Sequence, residues 1–291
     1  MATSTIKQLP KQTVEIEMVL PWEEIKWEYQ KVFDEVAKEM ELPGFRKGKA
    51  PKKLVEENIN RSKVYEEVLK RVVPKVYADA IKQNNLEPIS SPKVEVLEAK
   101  ENIPWKLKAT IALKPKINLK NYKAKMGQLN KSKKANIWIP GKDKQEDLPA
   151  GRQDKKDTKA SIGEIMDILV SEVEIELPDL LVTEEINKLL SSLIDQTARL
   201  GMTVEQYTQA KGTTTARLRD DYRKEAIKNL TVEFALAEIA DKENITVTPQ
   251  DIENLITKVE KKEEQDKLRS QSYYLAHLIR QQKTIDYLSS L

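Results

Sequence analysis

The sequence predicts an α+β protein in which a small mixed domain is followed by a long helical one. Residues 13–20 and 105–113 alternate apolar and polar side chains, as half-buried strands do. Residues 22–40 and 63–83 repeat apolar side chains every three or four positions, as amphipathic helices do. Beyond residue 161 only the helical period recurs. These patterns indicate helices packed on a sheet in the first domain and helices alone in the second.

The elements of the first predicted domain, residues 1–118, are separated by proline and glycine. Pro21 ends the first strand, and the helix that follows it stops at Leu42-Pro43-Gly44. A short helix and a long one come next. Pro74 lies inside the long helix, where we expect a kink or a restart because proline cannot donate a backbone hydrogen bond. Two further strands complete the order strand, helices, strand, strand.

The second predicted domain, residues 161–291, carries signals for helix starts. Ser161 followed by Glu164 is a capping box, in which each residue caps a backbone N–H of the other. Thr203 followed by Gln206 repeats this pattern. An apolar stripe follows each start, so we expect an all-α domain.

Residues 119–160 predict a flexible, basic linker between the two domains. From residue 126 to residue 160, glycine and proline are mixed with fourteen charged residues, and too little apolar surface is available to offset the cost of ordering. The one apolar cluster, Ile137-Trp138-Ile139, is either a docking peptide or a loosely packed patch.

Charge is distributed unevenly along the chain, although the net charge is only +3. Residues 1–118 carry 22 basic and 18 acidic residues, residues 119–160 carry twelve and five, and residues 161–291 carry 16 and 24. This division suggests that only the front half meets a polyanion such as RNA. Charge scattered by chance over solvated faces is the alternative.

The chain lacks the residues that most catalytic and metal-binding sites require. Without cysteine there is no disulfide, thiolate nucleophile or sulfur-ligated metal, and a single histidine excludes most catalytic triads and multi-histidine sites. We interpret that residue, His277, as a helix residue at a packed surface. We expect no catalytic residue, no metal and no cofactor. The N-terminus lacks a secretory pattern and no stretch approaches the roughly 20 apolar residues of a membrane span, so we expect a cytoplasmic protein.

The most informative stretch is the loop of residues 44–51 between two predicted helices. It combines a phenylalanine with three basic residues, and its glycines permit a tight turn. An exposed Phe45 would anchor in a pocket while the cations meet phosphates or carboxylates. Alternatively, Phe45 folds back onto its own helices. A nucleotide-binding P-loop is excluded, because the glycine spacing is one residue short and no serine or threonine follows the lysine.

The octamer of this loop, Gly-Phe-Arg-Lys-Gly-Lys-Ala-Pro, resembles the ribosome-binding signature of trigger factors, Gly-Phe-Arg-x-Gly-x-x-Pro, at every defined position. The resemblance continues to the end of the first domain and resumes at 176–178, 201–207 and 280–288. Family members usually carry an FK506-binding-type prolyl-isomerase domain between their two halves. Here only the predicted linker occupies that place, and it is too short and polar to form such a domain, so we expect no isomerase activity.

The resemblance implies a ribosome-associated chaperone that works without ATP. It would dock beside the exit of the nascent-chain tunnel, on a ribosomal protein and nearby large-subunit RNA. Its C-terminal helices would form an all-α chaperone domain, a cradle with projecting helical arms that holds unfolded polypeptides. It also implies roles in protein transport and cell division, and a homodimer away from the ribosome. The signature carries over Gly44, Phe45, Arg46, Lys47, Gly48 and Pro51, with Phe45, Arg46 and Lys47 as contacts. Lys49, Lys52 and Lys53 are added as flanking cations on electrostatic grounds alone.

Three other classes of protein are alternatives. An RNA-binding or ribosome-associated factor without chaperone activity would explain the basic front half, but the chain has no RNA-reading module that we can identify and its helical half is acidic. A periplasmic chaperone with a similar cradle would carry a signal peptide. An enzyme would need the cysteine or histidine clusters or nucleotide loops that the sequence lacks.

Overall fold

The computed structural model describes residues 2–135, 160–259 and 261–291. It confirms the predicted fold class, with a small sheet in the N-terminal part and helices elsewhere. The chain forms two compact units, which are described separately. The first comprises Met1–Pro115 with Pro178–Leu181, and the second comprises Lys116–Leu177 with Val182–Leu291.

The first unit contains a four-stranded antiparallel sheet with strand order β1-β2-β4-β3. Its strands are β1 (Thr3–Leu9), β2 (Thr13–Leu20), β3 (Lys93–Glu98) and β4 (Trp105–Ala112). The alternation read in the sequence is that of β2 and β4, in which every second side chain is buried. The edge strand β1 was not predicted, because its two apolar residues, Ile6 and Leu9, do not alternate.

Three helices accompany the sheet: α1 (Trp22–Glu39), α2 (Lys52–Asn58) and α3 (Arg61–Gln83). Buried side chains of α1 and α3, including Ile25, Val32, Val64 and Val68, form one core with the inner face of β2 and β4. The restart expected at Pro74 does not occur, since α3 continues through it. Proline removes one backbone hydrogen bond from the helix, and the burial of α3 residues on both sides of it holds the helix together.

The second unit is built almost entirely of helices. They are α4 (Tyr122–Ala135), α5 (Ile162–Glu172), α6 (Asp179–Arg199), α7 (Val204–Ala210), α8 (Thr215–Lys242), α9 (Pro249–Ile256), α10 (Lys262–Ser270) and α11 (Ser272–Ser290). Two short strands, β5 (Ile117–Asn118) and β6 (Glu174–Ile175), pair antiparallel. Both predicted capping boxes are formed, at the starts of α5 and α7. Among the residues that the model describes, no helix is long and apolar enough to cross a membrane.

Helix α4 occupies residues that we expected to be a flexible linker. Its Tyr122 and Met126 are buried in one core with side chains of α5, α8 and α11. The linker prediction is therefore wrong for 122–135. Apolar side chains recur at every third or fourth position of α4, at Tyr122, Met126 and Leu129. The many lysines in the rest of the helix made this apolar stripe hard to recognise in the sequence. Residues 136–159, with the Trp138 cluster, lie outside the described residues.

A polar cluster joins α4 to α8 and α11 at the edge of this core. The Glu243 carboxylate, just after the end of α8, accepts hydrogen bonds from the Tyr122 hydroxyl at 3.1 Å and the Tyr287 hydroxyl at 2.8 Å. Lys123 forms an ion pair with it at 2.8 Å. The Lys123 ammonium and the Tyr287 hydroxyl, which both donate to the carboxylate, hold the pKa of Glu243 below its usual range. Burial and the same carboxylate raise the pKa of Tyr122 to about 12.

Candidate functional site

The candidate site is the docking loop, defined as residues 44–51, which connects the end of α1 to the start of α2. Its backbone forms two successive turns: the Phe45 N–H donates to the Leu42 carbonyl at 3.0 Å, and the Lys49 N–H donates to the Arg46 carbonyl at 2.9 Å. A third bond, from Gly48 N–H to the Met40 carbonyl at 3.2 Å, ties the middle of the loop to the end of α1. The loop therefore has a defined shape before any partner binds.

Gly44 and Gly48 both adopt positive φ angles, of 87° and 69°. Gly48 carries a second constraint. A Cβ atom at this position would lie 2.6 Å from the Lys38 carbonyl oxygen, which belongs to α1. No atom lies within 4 Å of a Cβ built on Gly44. Close approach of the loop to the helix therefore requires glycine at 48, whereas backbone conformation alone favours it at 44.

Phe45 ends the first of these turns and is 43% exposed. It is not among the residues of the buried core of the first unit. Arg46 and Lys47, the first two residues of the next turn, are exposed as well. The loop thus presents an aromatic ring next to two cations.

The cations around the loop fall into two groups. Lys47 forms an ion pair with Glu39 at 2.8 Å, and Lys52 forms one with Asp34 at 2.9 Å. Hydrogen bonds from these lysines lower the pKa of both carboxyl groups. Because exposed pairs are worth at most about 1 kcal/mol, a polyanion can displace the carboxylates readily.

Arg46, Lys49 and Lys53 make up the second group. They are exposed and form no ion pair within the part of the chain that the model describes. All the predicted cations are therefore brought to one end of α1 and the start of α2, and three of them are available to an anionic partner without breaking a contact.

The second unit exposes large apolar side chains that its core does not use. Tyr273 is 90% exposed and Leu200 is 72% exposed. Others with more than a third of their surface exposed are Ile162, Val170, Ile194, Ile227, Leu255, Tyr274 and Leu278. His277 lies on α11 and is exposed. In the described ranges, no group of three or more histidine, aspartate or glutamate residues is arranged to hold a metal ion.

Comparison with known proteins matches nearly the whole chain to one family. The family model described as bacterial trigger factor protein matches residues 1–136, and that described as bacterial trigger factor protein C-terminus matches residues 146–290. A solved structure described as "Promiscuous Substrate Recognition in Folding and Assembly Activities of the Trigger Factor Chaperone" superposes with a TM-score of 0.60, at 13% identity, over 99% of both chains. This likeness establishes the fold.

Curated relatives match over a shorter stretch. The trigger factor of Mycolicibacterium smegmatis is 35% identical over 116 residues, which are 40% of this chain and 25% of the relative. The trigger factor of Pelotomaculum thermopropionicum is 34% identical over 117 residues, 40% of this chain and 27% of the relative. The match therefore spans about a quarter of these relatives' length. Since the two family models describe the two ends of one kind of protein and together cover almost every residue, the chain belongs to the trigger factor family.

Proposed function

We propose that this protein is an ATP-independent chaperone of the cytoplasm that docks on the large ribosomal subunit, beside the exit of the nascent-chain tunnel, and holds emerging unfolded polypeptides. The observation that carries the proposal is the docking loop, in which an exposed phenylalanine and unpaired cations are held in a fixed turn. Membership of the trigger factor family supports it.

Each residue of the docking loop has a proposed role. Phe45 enters an apolar pocket on a ribosomal protein, and Arg46 and Lys47 contact carboxylates or RNA phosphates. Gly44 and Gly48 set the shape of the turn, and Pro51 starts α2 with a φ of −58°. Lys49, together with Lys52 and Lys53 beyond the loop, accelerates association and makes docking sensitive to salt.

The second unit is proposed to hold client polypeptides. Its exposed apolar side chains lie in a part of the chain with excess acidic residues, so apolar contacts with a client are interrupted by charge. Separate small patches bind weakly and release without nucleotide, which suits a chaperone that must let its client fold. Client release by this route needs no catalytic residue.

Prolyl-isomerase activity is proposed to be absent, and the protein is proposed not to be an enzyme. Only residues 137–145 separate the stretches that match the two family models, and so short a segment cannot form the apolar pocket that an isomerase needs. Off the ribosome we propose a homodimer, because apolar surface that binds clients also favours self-association.

Co-sedimentation with purified ribosomes at low and high salt tests the docking role. The triple variant Phe45→Ala, Arg46→Ala, Lys47→Ala is expected to lose ribosome binding with unchanged circular dichroism and melting, because an exposed loop is altered. The matched control, Tyr273→Ala, Lys262→Ala, Lys267→Ala, removes one exposed aromatic and two exposed cations from the second unit. It should bind as the original protein does. Equal binding by the triple variant would remove the docking assignment.

A further inference from the structure

The end of α1 places carboxylates beside the cations at the docking loop. The Lys47 ammonium lies 2.8 Å from the Glu39 carboxylate, and the Lys52 ammonium, at the start of α2, lies 2.9 Å from the Asp34 carboxylate. Asp34 also accepts a hydrogen bond at 3.1 Å from Gln30, one turn earlier on α1. Both lysines are therefore neutralised by the protein's own carboxylates before a partner arrives.

The position of Glu39 is not explained by the stability of its helix. Glu39 is the last residue of α1, where the helix dipole favours a cation and disfavours a carboxylate. Its ion pair with Lys47 leaves 52% of the lysine side chain and 77% of the glutamate side chain exposed, so the pair adds little stability in return. The carboxylate is better explained by its effect on Lys47.

Backbone packing keeps Glu39 beside Lys47 even when the ion pair opens. Gly48, next to Lys47, donates a backbone hydrogen bond to the carbonyl of Met40, which follows Glu39. A Cβ atom on Gly48 would lie 2.6 Å from the carbonyl oxygen of Lys38, which precedes Glu39. A phosphate group that reaches Lys47 therefore also approaches the Glu39 carboxylate, and the two negative charges repel each other.

The two carboxylates affect free RNA and a ribosomal surface differently. Free RNA offers phosphates alone, so its binding bears the full cost of displacing Glu39 and Asp34 and of the repulsion that remains. A ribosomal protein offers side chains of both charges, so the displaced carboxylates find cations there. Docking through Phe45 also gains apolar contact that does not depend on charge.

We propose that Glu39 and Asp34 are specificity-determining residues for docking, which lower the affinity of the loop for RNA in general more than its affinity for ribosomes. They neutralise Lys47 and Lys52 in the free protein and repel phosphates once these lysines are engaged. A loop of cations alone binds any exposed RNA, whereas one flanked by carboxylates rejects most of it. This inference rests on the proposed ribosome docking and adds the residues that direct it.

Binding of the full chain to single-stranded poly(U) and to purified ribosomes tests the proposal. The double variant Glu39→Gln, Asp34→Asn removes both carboxylates and keeps the size of the side chains. Its affinity for poly(U) is expected to rise about tenfold and its affinity for ribosomes about twofold, since each exposed ion pair holds back binding by at most about fivefold. The slope of log K against log salt for poly(U) should steepen by about 1.4, because each of two further phosphate contacts contributes about 0.7.

The matched control, Glu17→Gln with Glu66→Gln, removes two exposed carboxylates from β2 and α3, neither of which pairs with a cation of the loop in the described ranges. It should leave both affinities unchanged. Glu39→Asp, which keeps the charge, should bind poly(U) as weakly as the original protein does. An unchanged affinity of the double variant for poly(U), an equal rise for poly(U) and ribosomes, or the same rise in the control would overturn the proposal. Failure of the docking role differs from these outcomes, because the original protein would then not bind ribosomes.

Discussion

Replacing Gly48 by alanine is expected to destabilise the first unit and weaken ribosome docking. Its φ of 69° costs a residue with a side chain about 1–2 kcal/mol. The new methyl group would also lie 2.6 Å from the Lys38 carbonyl oxygen and 3.1 Å from the Lys38 Cα. Both are backbone atoms of α1, so they cannot rotate away as the end of a side chain would. Either α1 shifts or the Gly48 hydrogen bond to Met40 opens, and the loss must exceed the conformational cost alone.

Gly44→Ala separates the two contributions. Gly44 has a φ of 87° with no atom within 4 Å of the added Cβ, so this substitution carries only the conformational cost of about 1–2 kcal/mol. Both variants are measured by urea unfolding, followed by tryptophan fluorescence because Trp105 is buried in the first unit, and by ribosome co-sedimentation. We expect a larger loss of both stability and binding for Gly48→Ala. Equal losses in the two variants would refute the close packing of the loop against α1.

Three further predictions concern the second unit and the whole chain. Glu243→Gln should cost about 1–3 kcal/mol of stability at neutral pH, because two tyrosine hydroxyls and Lys123 bond to the carboxylate. The pKa of Glu243 is lowered in the folded protein, so the stabilisation by its carboxylate is fully present above the ordinary pKa of 4.5 and is lost as the pH falls through the folded pKa. The free energies of unfolding of the original protein and of Glu243→Gln, measured with urea, should therefore become equal in acid. The fragment 116–291 should suppress aggregation of a denatured test protein, measured by light scattering. Fragment 161–291 should do so less well, because it lacks the buried side chains of α4. If neither fragment nor the full chain suppressed aggregation, the client-holding role would be contradicted. The protein should not accelerate proline-limited refolding, a phase of tens of seconds in which any catalysis is readily seen.

Helices and strands could be predicted from the sequence where one face of the element is buried and the other is exposed to solvent. In β2 and β4 the burial alternates along the strand, and the sequence alternates with it. The sequence of edge strand β1 does not alternate in this way, and the turn that connects β1 to β2 could not be predicted either. Lys11 and Gln12 adopt positive φ angles there, of 58° and 51°, without the glycine or asparagine that usually marks such a turn.

The docking loop could be located from sequence, but the exposure of its phenylalanine could not. Whether Phe45 packs inward depends on the space between α1 and α2, which local sequence does not determine. A groove of the first unit, lined by α1, α3 and the start of β1, could not be predicted from the sequence for a similar reason. Trp27 lies off the apolar stripe of α1, and its neighbours Val72 and Val76 belong to a helix more than 40 positions away, so only the folded chain brings them together.

Helices α4 and α5 have a consequence for how this chain differs from longer members of its family. Both helices pack in the core of the second unit, and their facing ends are close, since Lys133 of α4 forms an ion pair with Glu164 of α5 at 2.9 Å. The described residues that flank 136–159, at the end of α4 and the start of α5, therefore lie at neighbouring points of the same unit. A site of this kind tolerates the gain or loss of an entire domain, because the host keeps its packing and the entropy of closing a longer connection grows only logarithmically. A domain can therefore be inserted or lost between α4 and α5 without a change in the core of the second unit.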